Sequence, residues 1–297
     1  MMVRMSPTAK RIAANILVIL LGALFAWAAS DGGQRLGPLP LIAWGVIAAF
    51  VIQWAVFLPS WLNQTERFFD LTGSLTYITV TLGLALLADA DPRAWLLTAM
   101  VLAWALRLGT FLFRRVSKDG GDSRFAERKK DPLVFGTVWT VQGLWVTTTA
   151  LAAWTAITSA ERAPLGWLAI LGVAVWLLGF GIEVVADAQK SRFKADPANR
   201  GEFIDEGLWS RSRHPNYFGE ITLWIGVLLV AAPVLSGWQW IALISPVFVV
   251  ILLTRISGVP LQEKQGEERW GDRADYRAYR ERTPVLIPRL TAPKEKA

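Results

Sequence analysis

Long apolar runs recur along most of this 297-residue chain, and they constrain its fold more than any other feature. A run of about 20 apolar residues is long enough to cross the ~30 Å hydrocarbon core of a bilayer as a helix. Hydrophobic residues make up 53% of the chain and tryptophan occurs 16 times, a composition too apolar for an ordinary soluble domain. The sequence therefore predicts an all-α, polytopic membrane helical bundle, one membrane domain over residues 1–297 with seven to eight transmembrane helices.

Six spans are clear, and the last apolar stretch is ambiguous. The clear spans are Arg11–Ala29, Leu39–Leu58, Leu71–Ala88, Ala94–Phe113, Pro132–Ile157 and Leu165–Val185. The stretch Tyr217–Ile256 is longer than one helix needs, and Pro233 and Gly237 near its middle predict a tight turn. Splitting the stretch at this turn gives eight crossings.

Basic residues are distributed unequally between the two sides of these spans. With the amino terminus inside, only Arg35, Arg93 and Arg162 fall in outward loops and Arg107 lies within a span; the rest of the 31 lysines and arginines lie inside. Because basic residues favour the cytoplasmic side, this pattern predicts that both termini are cytoplasmic. A re-entrant pair in place of the last two crossings would give the same distribution. The net charge of +7 is interpreted as this topology signal and not as a nucleic-acid-binding surface.

The scarcity of cysteine and histidine limits the metal and disulfide chemistry open to this chain. The chain has no cysteine and a single histidine, His214. Disulfides, thiolate metal sites and multi-histidine metal or haem sites are therefore excluded, and no metal site is predicted.

The densest polar motif is GLWSRSRHPNYFGEITLWIG, residues Gly207–Gly226, at the edge of an apolar stretch. Because proline suits the first turn of a helix, Pro215 predicts a helix start with Arg213 and His214 at its mouth. A lone histidine before a proline is more often a capping or packing residue than a general acid. His214 gains interest only from its neighbours.

Asn216 and Glu220 follow in the same motif, four residues apart and on one face of the predicted helix. A carboxylate one turn into an apolar helix needs a partner, which Asn216 can supply. Gly219 beside them would let a backbone or a flat ring approach closely. These features favour a cofactor site at a membrane surface.

A stripe of charged residues precedes this motif at the inner end of the sixth span. Glu183 and Asp187 are four apart, and Lys190 and Lys194 continue the same helical face. Such a face could bind a ribose hydroxyl and phosphates. An interfacial helix stabilised by i,i+4 ion pairs is an equally good interpretation.

Arg192, Lys194, Arg211 and Arg213 crowd the loop that follows this span, near the predicted helix start at Pro215. Guanidinium groups and the free N–H groups of a helix start are a common solution for binding phosphate. The alternative is the general excess of cytoplasmic positive charge, with contacts to lipid headgroups.

A second polar cluster lies near the inner leaflet, in the second loop and third span. It contains Glu66, Asp70 and Tyr77, with Arg107 of the fourth span as a possible counter-ion. These groups could orient a carbonyl substrate or relay a proton. A buried polar network that holds helices together explains the same residues.

The charged tail Glu263–Arg282 has the spacing of a surface helix interrupted near Gly271. We expect its Trp270, Tyr276 and Tyr279 to lie at the lipid headgroups. The functional alternative is a tail that folds back as a lid over the inner ends of the spans.

The run NYFGEITLWIG, Asn216–Gly226, resembles the carboxy-terminal domain of the steroid 5-alpha-reductase family, whose members carry an Asn-aromatic-x-Gly-Glu run before an apolar helix. The longer GLWSRSRHPNYFGE form is similar to a bacterial branch of that superfamily. The resemblance extends over Glu183–Pro288. It implies a multi-span helical enzyme of the bacterial inner membrane, with NADPH bound from the cytoplasmic side.

The family's chemistry implies hydride transfer to a carbon–carbon double bond conjugated to a carbonyl. By motif position, Asn216 and Glu220 would contact the nicotinamide end and Asp187 would also contact the cofactor. The candidate cofactor-binding set is Asp187, Arg192, Lys194, Arg213, His214, Asn216, Tyr217 and Glu220. The candidate catalytic set, from the second cluster, is Glu66, Asp70 and Tyr77.

The chain departs from the family at the substrate signature Gln-Glu-x-Pro-Ser. Pro59 and Ser60 are preceded by Val56, Phe57 and Leu58 rather than by Gln-Glu. The resemblance therefore does not extend to a steroid substrate, and a lipophilic sterol-, isoprenoid- or lipid-like compound entering from the bilayer is predicted. No nucleic acid and no obligate protein partner are indicated.

Two other interpretations remain open. Integral membrane methyltransferases of the isoprenylcysteine or phospholipid type carry an Arg-His-Pro motif and a later acidic pair, which Arg213, His214 and Pro215 with Glu267 and Glu268 resemble. This resemblance implies S-adenosylmethionine as the cofactor. A non-catalytic transporter or assembly protein fits the spans but leaves the polar motif unexplained.

Overall fold

A computed structural model of the chain describes residues 6–119 and 125–290, and these are almost entirely helical. Two antiparallel strands of two residues each, β1 (Arg35–Leu36) and β2 (Leu39–Pro40), form a short hairpin. The helices of the described residues are α1 (Pro7–Ala29), α2 (Leu41–Leu62), α3 (Phe69–Leu87), α4 (Pro92–Asp119), α5 (Pro132–Thr158), α6 (Trp167–Ala195), α7 (Pro215–Ala231), α8 (Ile244–Ile251), α9 (Val259–Trp270) and α10 (Ala274–Arg282).

Seven helical segments within the described residues are long and apolar enough to cross a membrane. They are Pro7–Ala29, Leu41–Leu62, Phe69–Leu87, Pro92–Arg114, Trp167–Ala195, Pro215–Val234 and Gly237–Trp270. The prediction of a polytopic helical membrane protein is confirmed. The remaining predicted span forms the 27-residue α5, which threonine, tryptophan and glutamine make less apolar than these seven.

The last apolar stretch is divided where the sequence predicted a turn. Helix α7 ends at Ala231 and is followed by the 3-10 turn Ala232–Val234, which contains Pro233. A second 3-10 segment, Gly237–Leu243, then leads into α8. Proline lacks the N–H that the next turn of an α-helix would need, so the chain leaves the helix here.

The chain forms two compact units, the first made of Met1–Ala169 and Leu228–Ser245. Helix α5 is central to this unit, because α1, α2, α3 and α4 all pack against it. Its Trp139 and Trp154 are fully buried. Such a helix, largely shielded by protein, needs less apolar composition than one that faces lipid.

The second unit consists of Ile170–Val227 and Pro246–Ala297. Here the glycines of α6 and α7 bring the two backbones together: a Cβ added at Gly219 would lie 2.6 Å from the carbonyl oxygen of Gly179 and 2.7 Å from the backbone nitrogen of Glu183. The sequence left open whether a backbone or a flat ring would use this space. In the structure the backbone of α6 occupies it.

The tail forms α9 and α10 with the break at Gly271 that the sequence predicted. The expectation that its aromatic side chains lie at the headgroups is wrong for two of them. Tyr276 and Tyr279 are buried and pack with Phe203, at centroid distances of 5.0 and 5.4 Å. The two tyrosine rings bury their apolar surface within the protein. The Tyr279 hydroxyl donates a hydrogen bond to the carbonyl of Trp209 over 2.8 Å.

Candidate functional site

Helix α7 begins at Pro215, as the sequence predicted, and the residues before it are held by the end of the tail. The backbone N–H of Arg213 donates to the carbonyl of Pro284 over 2.9 Å. The hydroxyl of Ser212, itself buried, donates to the carbonyl of Leu286 over 2.8 Å. The entrance to α7 is therefore fixed by contacts some seventy residues away in the chain.

Asn216 and Asp187, both in the predicted cofactor-binding set, are in direct contact. The Asn216 side-chain amide donates to a carboxylate oxygen of Asp187, with an Nδ2–Oδ1 distance of 3.2 Å. Asp187 is 6% exposed and Asn216 is partly buried. The contact joins the carboxy-terminal half of α6 to the first turn of α7.

A carboxylate absent from the predicted set, Glu263 of α9, organises the residues that precede α7. Arg213 donates to its Oε2 over 2.5 Å, and the Nε2 atom of His214 lies 2.8 Å from its Oε1. Arg280 of α10 is a third partner, at 3.5 Å. Because ionised carboxylates accept several charge-assisted hydrogen bonds, one half-buried side chain connects α7, α9 and α10.

His214 is 5% exposed, and its ring stacks on Tyr217 with a centroid distance of 5.4 Å and an interplanar angle of 8°. Burial lowers the pKa of His214 below its ordinary value of about 6.5, and nearby Lys190 and Arg213 act in the same direction. The hydrogen bond that His214 donates to Glu263 opposes this shift without cancelling it. His214 is therefore a neutral imidazole at neutral pH.

We expect this shift to appear as a pH dependence of stability. Because the pKa of His214 is lower in the folded than in the unfolded protein, the unfolded chain binds more protons as the pH falls from about 7 to 5, and stability decreases. Thermal unfolding of wild type and His214→Gln in the same detergent measures the contribution, since the chain has no other histidine. If the unfolding midpoints of the two proteins changed equally with pH, the lowered pKa of His214 would be contradicted.

Two further carboxylates lie beside the glycine contact of α6 and α7. Glu183 is 2% exposed, and its backbone nitrogen faces Gly219. Glu220 lies one turn beyond Asn216 on α7 and is partly buried. Both predicted acidic positions therefore belong to the region where α6 and α7 pack.

The basic residues near the end of α6 differ in their surroundings: one packs against other side chains and two are exposed. Lys190 lies 4.6 Å above the ring of Trp209, and its Nζ is 3.5 Å from the side-chain oxygen of Gln262. Arg192 and Lys194 are exposed. Lys190 thus has a cation–π and packing role, whereas Arg192 and Lys194 are accessible to an anionic ligand.

An open pocket of about 290 Å³ in the second unit is lined by Arg213, Arg277, Arg280 and Glu281. The buried Nε atom of Arg213 has no hydrogen-bond partner among the described residues. Three guanidinium groups line the pocket, although Arg280 also pairs with Glu263 and Glu267. Guanidinium groups suit phosphate groups, and the carboxylate of Asp187 suits a ribose hydroxyl. These residues fit a nucleotide.

The predicted catalytic residues lie in the first unit. Glu66 is largely buried and pairs with Lys129, with an Nζ–Oε2 distance of 2.5 Å. Asp70 occupies the first turn of α3. The ring of Tyr77 is buried against Trp104 in an edge-on contact, with centroids 5.0 Å apart. Arg107, predicted as a counter-ion, lies over the ring of Phe111.

The carboxylate that contacts the Arg-His-Pro motif lies one helical turn before the acidic pair of the methyltransferase interpretation. Glu267 pairs with Arg280, and Glu268 lies 3.8 Å from Lys264. The carboxylate that reaches Arg213 and His214 is Glu263, on the face of α9 directed toward the start of α7. Sequence reasoning missed it because its partners are 49 and 50 residues away and no local pattern marks it.

Comparison with known proteins places the chain in a family and gives one partial similarity. A stretch of 72 residues is 36% identical to the Delta(14)-sterol reductase ERG24 of Saccharomyces cerevisiae; it covers 21% of this chain and only 16% of that protein. No solved structure matches the chain. Residues 54–283, most of the chain, match a family described as Protein of unknown function (DUF1295). The chain belongs to this DUF1295 family.

Proposed function

We propose that this protein is a membrane-embedded reductase that uses NADPH to reduce a carbon–carbon double bond conjugated to a carbonyl in a lipophilic, sterol-, isoprenoid- or lipid-like substrate. The observation that carries the proposal is the hydrogen bond between Asn216 and Asp187, and a pocket of the same unit lined by three arginines adds to it. The partial similarity to a sterol reductase supports the reaction class. The resemblance of Glu183–Pro288 to the steroid 5-alpha-reductase superfamily supports the cofactor.

The proposed nucleotide contacts follow from the chemistry of each side chain. Asp187 accepts hydrogen bonds from ribose hydroxyls, and Asn216 offers an amide that matches the carboxamide of the nicotinamide. Arg213 and the exposed Arg192 and Lys194 offer positive charge to phosphates, for which guanidinium groups are well suited. Tyr217 and Glu220 complete the proposed set on the first turns of α7.

Reduction of a conjugated double bond requires a hydride at the β-carbon and a proton at the α-carbon. NADPH, which Asp187, Asn216 and the basic residues would hold, would supply the hydride. We assign the polarisation of the carbonyl and the proton to Glu66, Asp70 and Tyr77. A phenol is suited to both tasks, since it donates a hydrogen bond and transfers a proton to an enolate.

Sealed membrane vesicles provide the test of this function. We expect NADPH consumption when lipophilic enones are added, with one NADPH oxidised per double bond reduced. The matched control is the saturated ketone of each enone, which should give none. Because the proposal assigns the site and both termini to the cytoplasmic side, NADPH should act on inverted and not on right-side-out vesicles. Equal activity in both orientations would contradict the topology, and no oxidation with any enone would contradict the reaction.

A second candidate is an S-adenosylmethionine-dependent methyltransferase, and one observation favours it. Arg213 and His214 share a carboxylate, Glu263, so the Arg-His-Pro motif does meet an acidic residue of the tail. The two candidates differ in their cofactor. Protection of the protein from thermal unfolding by S-adenosylmethionine, without protection by NADPH, would favour the methyltransferase.

A further inference from the structure

The imidazole of His214 is held in a fixed orientation by its neighbours in the second unit. Its Nε2 atom lies 2.8 Å from Glu263 and its ring stacks on Tyr217. The backbone N–H of His214 donates to the hydroxyl of Ser212 over 3.2 Å. The contact with Glu263 and the stacking on Tyr217 therefore fix the orientation of the ring and occupy one of its two nitrogens.

The charge state of Glu263 decides which nitrogen of His214 carries the proton. Arg213 donates to Oε2 of Glu263 over 2.5 Å, so this carboxylate is ionised and can only accept hydrogen bonds. The Nε2 atom of a neutral His214 must then be the donor, and Nδ1 keeps its lone pair. Among the described residues, the ring of His214 makes one hydrogen bond, through Nε2 to Glu263, so Nδ1 is left to accept one from a ligand; the residue is 5% exposed.

We propose that Glu263 is a positioning residue: it holds His214 in the Nε2–H tautomer, so that Nδ1 accepts a hydrogen bond from a hydroxyl or amide N–H of the bound nucleotide. This inference rests on the proposed function, because it assigns the nucleotide as the ligand. His214 lies two residues before Asn216, whose amide contacts Asp187, so the acceptor belongs to the same short segment as the proposed cofactor contacts. A nucleotide offers the required donors in its ribose hydroxyls and its carboxamide.

Nitrogen NMR tests the tautomer directly because the chain has a single histidine. With ¹⁵N-labelled histidine in the detergent-solubilised full chain at neutral pH, we expect one protonated nitrogen, assigned to Nε2, and one unprotonated nitrogen, assigned to Nδ1. Addition of NADPH should shift the Nδ1 resonance in the direction produced by accepting a hydrogen bond, and leave Nε2 protonated.

Two carboxylates of α9 form a matched pair of variants. Glu263→Gln preserves size but introduces a side chain that donates as well as accepts, so we expect the single tautomer to be replaced by a mixture and NADPH affinity to fall by about tenfold or more. Glu268→Gln removes a surface carboxylate that faces Lys264. This control should keep the wild-type spectrum and affinity.

Different outcomes identify which part fails. An Nδ1–H tautomer in the ligand-free wild type, or an unchanged spectrum in Glu263→Gln, overturns the role of Glu263. Saturable NADPH binding with no shift at Nδ1 overturns the acceptor role of His214. If NADPH does not bind at all, the proposed function fails and the ligand assignment falls with it, whereas the ligand-free spectrum still decides the role of Glu263.

Discussion

Replacing Asp187 with asparagine is expected to weaken NADPH binding by roughly 10- to 100-fold, equivalent to about 1.5–3 kcal/mol, because a charged acceptor of ribose hydroxyls is lost. Asparagine keeps the shape of the side chain, and its carbonyl oxygen can still accept the hydrogen bond that Asn216 donates in the wild type over 3.2 Å. The fold should therefore survive while the cofactor contact weakens. Titration of NADPH onto the purified variant measures the change.

A matched aspartate-to-asparagine control is available in the same unit. Asp205 forms a surface ion pair with Arg282 over 2.9 Å, and both side chains are more than two-fifths exposed. Exposed pairs contribute little to stability, so Asp205→Asn should bind NADPH as the wild type does. An equal loss of affinity in both variants would indicate a general effect of charge, and an unchanged affinity in Asp187→Asn would remove Asp187 from the cofactor site.

Replacing Gly219 with alanine is expected to destabilise the protein by about 1–3 kcal/mol, because the new methyl group meets backbone and not a flexible side chain. The Cβ would lie 2.6 Å from the carbonyl oxygen of Gly179 and 2.7 Å from the nitrogen of Glu183. The two helices must separate to accept it, and small residues at such contacts allow the close approach that favours helix association. A lower thermal unfolding midpoint in detergent is the expected readout.

Gly181 of α6 supplies the control for this substitution. A Cβ added there meets nothing within 4 Å, and the residue is exposed. Gly181→Ala should therefore be neutral or slightly stabilising, since alanine favours the helix over glycine. If Gly219→Ala were as stable as Gly181→Ala, the close packing of α6 and α7 at this glycine would be contradicted.

The sequence predicted those features that depend on local backbone chemistry. Pro215 starts α7 because proline is tolerated in the first turn of a helix. Pro233 lies in the 3-10 turn that follows α7, because proline disrupts a helix interior. The break near Gly271 likewise separates α9 from α10. The helical class and most of the spans followed from the lengths of apolar runs, which the bilayer thickness constrains.

Features that depend on contacts between distant residues could not be predicted. Glu263 is 49 residues from His214, and nothing in its own neighbourhood distinguishes it from Glu267 or Glu268 one turn later. Tyr276 and Tyr279 have the sequence pattern of interfacial residues, yet Phe203 provides them with a partner inside the unit. The sequence placed Asp187 and Asn216 in one candidate site but did not predict the hydrogen bond between them. That bond depends on how α6 packs against α7.

Equilibrium dialysis of NADPH against the purified chain tests whether the protein binds the cofactor of a reductase. We expect saturable binding of one NADPH per chain, which NADP⁺ displaces and S-adenosylmethionine does not. Saturable binding of S-adenosylmethionine with no binding of NADPH would contradict it.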